Sequence, residues 1–268
     1  MELMFGHYVI NVLARTWWQL FQLFTMPFVL AMALQWVGHR IRGLGFGRFG
    51  RAYLYFIALG VACHEMGHAT GCLLTGHRIH KFVPFTLKYD DKLGYVSYSA
   101  PHGVWGGFAQ VVISAGPIWF GCLMIVLLSR LFWGVEFVAR YRDFFSNDAM
   151  PGMLEYVWGL ARATLVFLSS LFIDGTWGMG FAVWFYIVFC IASEIGLSKV
   201  DIQHMCRGLA MIVVVFFLLN LVPSVGQCVS AGIFTVVPWL FKFHVLMLVA
   251  LVLNTIMLFV IRLVVRLH

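Results

Sequence analysis

The chain has 268 residues, 62% of them hydrophobic and 11% charged, with a mean hydropathy of +0.91. Soluble domains carry about 25% charged residues, so this composition excludes an ordinary water-soluble globular domain and points to an α-helical polytopic membrane protein. The net charge of +7 is no nucleic-acid signature, because the basic residues gather in short connections beside apolar runs: Arg40, Arg42, Arg48 and Arg51, then Arg78, Lys81, Lys88 and Lys92, then Arg140 and Arg142. The positive-inside bias and anionic lipid headgroups put them there.

Apolar runs of the roughly 20 residues needed to cross a bilayer recur along the chain and predict six or seven spans in one transmembrane domain, 1–268. The amino terminus lacks a basic n-region and a small-residue cleavage site, so the first span, about 13–37, is expected to be an uncleaved anchor. The glycine- and arginine-rich stretch 38–51 reads as an irregular connection rather than a regular buried helix. The second span, about 52–75, contains His64, Glu65 and His68.

Residues 80–100 break the helical pattern. They alternate apolar and polar, are rich in β-formers and place Asp90-Asp91 at a turn, which predicts a β-hairpin. A third span covers about 104–131, with Gly116-Pro117 at its middle, where proline bends a helix. The more polar stretch 132–160 reads as an interfacial segment, and apolar runs resume at about 157–173, 177–192, 207–222 and 243–266. The stretch 228–241 is too short and interrupted to assign. Cys63, Cys72, Cys122, Cys190, Cys206 and Cys228 are scattered singly with no CxxC spacing, which suggests small buried hydrophobes rather than disulfides or a thiolate zinc site.

His64-Glu65-Met66-Gly67-His68 is the segment with chemistry in it. Residues four apart share a helix face, so both imidazoles can reach one metal ion, while Glu65 can serve as the base for a water on that ion. With this histidine and glutamate content, random placement produces about 0.007 HExxH matches, so chance is a poor explanation. Ionisable groups inside a spanning helix are costly and usually mark function. The plainer alternative is that the two histidines bond to neighbouring helices and Glu65 pairs with a base. Gly67 and Gly71 form a GxxxG pair best read as a packing surface.

Residues 64–76, HEMGHATGCLLTG, resemble the first signature of the site-2 protease family of intramembrane zinc metalloproteases. The hairpin at 80–100 resembles the β-structured segment following that family's signature helix, SAGPIWFG at 114–121 resembles its AGP motif, and Asn220-Leu221-Val222-Pro223 resembles the Asn-x-x-Pro part of its third signature. The resemblance implies that His64 and His68 bind Zn2+ and that Glu65 is the catalytic base. In the family an Asp-Gly following Asn-x-x-Pro supplies the third zinc ligand; here the chain continues SVGQCVSAG, with Cys228 where the aspartate would fall.

A third ligand is therefore sought elsewhere. The polar stretch 193–205 offers Glu194, Asp201 and His204, and more loosely resembles a Ser-x-x-Asp segment of divergent site-2 protease-like proteins. Asp201 is favoured, because a carboxylate beside two histidines leaves a zinc position open for water. Ser198 to Asp201 also fits a capping box, in which Asp201 would bond backbone N–H groups instead. Glu194, His204 and Cys228 stay in reserve.

The expected activity is zinc-dependent endoproteolysis of transmembrane segments, with a membrane-protein substrate and the lipid bilayer as partners and no nucleic acid. The alternative is a non-catalytic accessory subunit that keeps the fold inside a larger membrane complex with other subunits. A di-metal oxidoreductase needs several histidine boxes, and this chain has one. The chain is expected to be a multi-pass integral membrane protein, of the inner membrane if bacterial.

Overall fold

The computed structural model describes residues 2–87, 93–99, 103–133, 152–173 and 178–266. Almost all of them are helical. Helix α1 (Glu2–Leu20) runs through a π-helical turn (Phe21–Thr25) into α2 (Met26–Phe49), and α3 (Arg51–Leu74) follows. Strands β1 (Ile79–Val83) and β2 (Tyr95–Tyr98) precede α4 (Gly103–Ser114) and α5 (Gly116–Trp133). The last four helices are α6 (Met153–Ile173), α7 (Met179–Glu194), α8 (Lys199–Asn220) and α9 (Pro223–Arg266).

Among the described residues three helical stretches are long and apolar enough to cross a membrane: Gly6–Phe49, Lys199–Asn220 and Pro223–Arg266. A fourth arises if α4 and α5, bent by 44° at their junction, count as one span. Large apolar side chains cover the outside, among them Trp36, Leu131, Leu154, Val214 and Phe259. Lipid tails are as apolar as these side chains, so tight contact between helices, rather than exclusion of water, must hold such an assembly together.

One expectation is corrected and one unassigned stretch is placed. The stretch 38–51 is not an irregular connection, because α2 continues to Phe49 and ends only at Gly50, whose φ is +56°. His39, Arg40, Arg42 and Arg48 are exposed along this stretch. Gly38, Ile41 and Gly45 are buried, and Gly45 lies against the ring of Tyr53. The unassigned stretch 228–241 lies inside α9, which stays helical through Pro238. Two cysteines also depart from the expectation of burial, since Cys206 and Cys228 are exposed while the other four are buried.

The hairpin forms as predicted, antiparallel, with Val83 opposite Tyr95 and Ile79 opposite Tyr98. Its expected turn at Asp90-Asp91 lies outside the described residues. So does most of the interfacial stretch 132–160, although 153–160 belong to α6. Ile79, Val96 and Tyr98 seat the hairpin on Cys72, Ala109 and Ile113 of α3 and α4, and Gln110 donates a hydrogen bond to the Tyr98 hydroxyl at 3.2 Å.

The largest core brings together α5, α6, α7 and α9 around Trp184, Tyr156 and Phe241. A second, smaller one joins α2, α3 and α7 through Ile41, Ile57 and Phe189. Helix α3 also meets its neighbours closely at glycine. A β-carbon on Gly67 would stand 2.6 Å from the Gly116 carbonyl carbon and from the Pro117 nitrogen, and one on Gly71 would stand 2.8 Å from the Ile113 Cα. The GxxxG pair is thus the surface on which α3 meets the α4–α5 junction.

Candidate metal centre

His64 and His68 face the same way from adjacent turns of α3, with their Nε2 atoms 3.2 Å apart. Asp201, in the first turn of α8, completes the group. Its Oδ1 lies 3.4 Å from His68 Nε2 and its Oδ2 3.8 Å from His64 Nε2. Among the described residues this is the one set of three metal-ligating side chains whose donor atoms converge, all within 4.8 Å of one another. Tetrahedral zinc with bonds near 2.0–2.1 Å places neighbouring ligand atoms about 3.3–3.4 Å apart, so the spacing fits such an ion.

Both imidazoles are held from behind. His64 Nδ1–H donates to the carbonyl oxygen of Glu194 at 2.7 Å, and His68 Nδ1–H donates to that of Ile113 at 2.8 Å. A carbonyl can only accept, so each Nδ1 carries the hydrogen, and a ring that is otherwise neutral presents a bare lone pair at Nε2. With both rings neutral, two lone pairs and a carboxylate converge with no donor among them. An extra proton on one ring would satisfy one of these contacts; a divalent cation satisfies all three. Orientation of ligating histidines through the second ring nitrogen is a general property of metal sites.

The local sequence explains how each carbonyl becomes available. Ile113 lies four residues before Pro117, which has no N–H to complete the i→i−4 bond, and the helix bends there by 44°. The freed carbonyl takes His68. Gly116-Pro117 therefore does more than bend its helix. Glu194 is the final residue of α7, where carbonyls have no intrahelical donor, and His64 supplies one.

Asp201 is both part of the cap of α8 and the carboxylate next to the two histidines. Ser198 Oγ accepts from the Asp201 backbone N–H at 3.2 Å, while Asp201 Oδ2 accepts from the Ser198 N–H at 2.9 Å. This capping box fixes the carboxylate's rotamer, and the rest of the carboxylate faces the histidines. The cap leaves the carboxylate free to face the histidines as well, because its two oxygens offer about four lone-pair positions.

The reserve ligands fall elsewhere. The Glu194 side chain turns to Arg42, with Nη2 to Oε2 at 2.6 Å. His204 is half-buried on α8 but is not part of the convergent group. Cys228 is exposed near the start of α9. Asn220 ends α8 about 28 Å of helix rise from Asp201, and its amide donates to Gln19 Oε1 at 2.6 Å and to the Phe216 carbonyl at 2.9 Å. The Asn-x-x-Pro run thus opens the α8–α9 junction and ties it to α1, far from the triad.

Glu65 is buried, and its Cγ lies close enough to the hairpin that a β-carbon on Gly94 would come within 2.7 Å of it. The same β-carbon would stand 2.8 Å from the Pro84 carbonyl oxygen. The neck of the hairpin, closed by Thr86 N–H donating to the Leu93 carbonyl at 2.6 Å, therefore covers the side chain next to the triad.

Sequence reasoning missed the carbonyls of Glu194 and Ile113 that hold the two rings, and the pairing of the Glu194 side chain with Arg42. Pro117 was a usable signal for Ile113, since it orphans the carbonyl four residues earlier. No spacing rule points to Arg42. Comparison with models of protein families, with curated proteins and with solved structures finds no match to this chain.

Proposed function

We propose that this chain is an intramembrane zinc-dependent endopeptidase, similar in kind to the site-2 proteases, that hydrolyses peptide bonds within transmembrane segments of other membrane proteins. The observation that supports it most is the convergence of His64 Nε2, His68 Nε2 and an Asp201 carboxylate oxygen, with both Nδ1 atoms committed to backbone carbonyls. Three protein ligands leave one tetrahedral position open, the pattern of catalytic rather than structural zinc.

Zinc held by His64, His68 and Asp201 would supply a Lewis acid able to polarise a carbonyl and to lower the pKa of water to about 7. The remaining steps belong to the chain itself. Glu65 takes the proton of the attacking water on a carboxylate oxygen and returns it to the departing amide nitrogen. Burial beside the hairpin keeps bulk water away from that carboxylate, so its proton passes between reacting groups rather than to solvent. The substrate must unwind locally to offer a carbonyl, and the outer edge of the hairpin can hold it as an added strand. Six or seven spans would place this chemistry at membrane depth, with α3 crossing despite its polar residues.

Metal content of the purified chain tests the proposal. Wild type should carry about one zinc per chain, lost in His64→Ala and Asp201→Ala and kept in His204→Ala. Glu65→Gln should keep the metal and abolish cleavage of a membrane-embedded substrate. A folded wild type without zinc, under conditions that do not strip it, would end the enzyme reading. The alternative, an accessory membrane subunit that keeps the fold, is favoured by the lack of Asp-Gly after Asn220-Leu221-Val222-Pro223. It is the outcome if zinc binds but wild type and Glu65→Gln are equally inert.

A further inference from the structure

One charged pair lies outside the triad and takes no part in the chemistry above. Arg42 reaches from α2 to Glu194 at the end of α7, with side-chain exposures of 44% and 7%. A carboxylate this buried in a membrane protein is costly, even when paired. A leucine would fill the same space without a charge to desolvate. What it would lack is a directional bond fastening the end of α7 to one position on α2.

That position bears on the metal centre. Within eight residues the chain contributes the Glu194 carbonyl to His64, the Ser198 cap to Asp201, and the Asp201 carboxylate itself. The start of this segment is gripped from several sides. A β-carbon on Gly60 of α3 would stand 2.9 Å from Glu194 Cγ, one on Gly121 of α5 would meet the Ile195 side chain, and α2 closes on it as well. A β-carbon on Gly38 would stand 2.7 Å from the Ser193 carbonyl oxygen, and one on Gly196 would stand 2.8 Å from the Gln35 nitrogen and Cα. From α9, Asn254 Nδ2 donates to the Ala192 carbonyl at 2.7 Å. Arg42 is the charged member of this grip, and its partner Glu194 is the residue whose carbonyl holds His64.

We propose that Arg42 is a positioning residue for the metal centre. Its ion pair with Glu194 locks the carboxyl end of α7 against α2, so that the Glu194 carbonyl meets His64 Nδ1–H and the turn into α8 starts where Asp201 can reach both histidines. The inference rests on the metal-binding reading of the triad. A guanidinium suits the task because its planar fork fixes direction as well as charge.

The test uses the full chain in detergent, with zinc affinity from chelator competition, 15N spectra of the histidine rings in metal-free protein, and thermal unfolding. Arg42→Gln should lower zinc affinity by about 10–100-fold and remove the exchange protection of the His64 Nδ1–H signal. Arg42→Lys, which keeps the charge but not the fork, should restore part of both. Reduced thermal stability with wild-type zinc affinity and an unchanged His64 signal would make Arg42 a general clamp and overturn the proposal. If Arg42→Gln does not fold, Glu194→Gln keeps a hydrogen bond but not the charge, and wild-type affinity in that variant would overturn it equally. If wild type takes up no zinc, the metalloprotease reading falls alone, because the His64 signal in the metal-free variants still decides whether Arg42 positions the ring.

Discussion

Gly67→Ala puts a single methyl group at the crossing of α3 with the α4–α5 junction. Its β-carbon would stand 2.6 Å from the Gly116 carbonyl carbon, 2.6 Å from the Pro117 nitrogen and 2.7 Å from the Gly116 oxygen. All three are backbone atoms, so no side chain can rotate away. Restoring ordinary contact near 3.5 Å requires the helices to part by roughly 1 Å. His68 follows Gly67 directly, and its Nδ1–H bond to Ile113 starts at 2.8 Å. The same parting takes that bond to roughly 3.8 Å, beyond hydrogen-bonding range.

Two effects compete in the stability of this variant. Alanine is the better helix former by about 1 kcal/mol. Overpacking costs about 1–3 kcal/mol, and the lost hydrogen bond about 1 kcal/mol more. Overpacking wins, so the thermal midpoint in detergent should fall. Zinc affinity, measured by competition with a chelator, should fall about 10–100-fold, as it does when the hydrogen-bond partner of a ligating histidine is lost. A variant that melts higher than wild type and binds zinc equally well would refute this account of the crossing, because it would mean that the helices have room there.

Two further substitutions test the site from other directions. Pro117→Ala returns an N–H that can complete the helix bond to the Ile113 carbonyl; His68 then loses exclusive use of its acceptor, and zinc affinity should drop by about tenfold or more, while unchanged affinity would show that the bend does not serve the site. Gly94→Ala sets a β-carbon against Glu65 Cγ and the Pro84 carbonyl oxygen without touching a ligand, so the chain should retain its metal but lose about 100-fold in cleavage rate if Glu65 is displaced by about 1 Å. Full cleavage by Gly94→Ala would show that the hairpin does not set the position of Glu65.

What could be read from the sequence was whatever short-range geometry dictates. Membrane character followed from composition. The shared face of His64 and His68 followed from the helical repeat, the hairpin from its alternation, and the Ser198–Asp201 cap from a spacing of three residues. Where reading failed, a local tendency was overridden by packing. The glycines of 38–51 suggested a broken chain, yet Gly38 and Gly45 are the places where α2 lets neighbours come close. Pro238 and its surroundings suggested an interruption, yet α9 continues through them.

The order of the signatures along the chain was a weaker guide than their position in space. Asn220-Leu221-Val222-Pro223 matched a pattern and lies at the wrong end of α8, tied to Gln19 rather than to the triad. Only the tertiary structure decided that Asp201, and not Glu194, His204 or Cys228, meets two histidines more than 130 residues earlier. It alone showed that the Glu194 carbonyl holds His64 and that Arg42 pairs with the Glu194 side chain. The physical reason is that a helix fixes its own neighbours within a turn, whereas a metal centre gathers side chains and orphaned carbonyls from helices that meet only when the bundle closes.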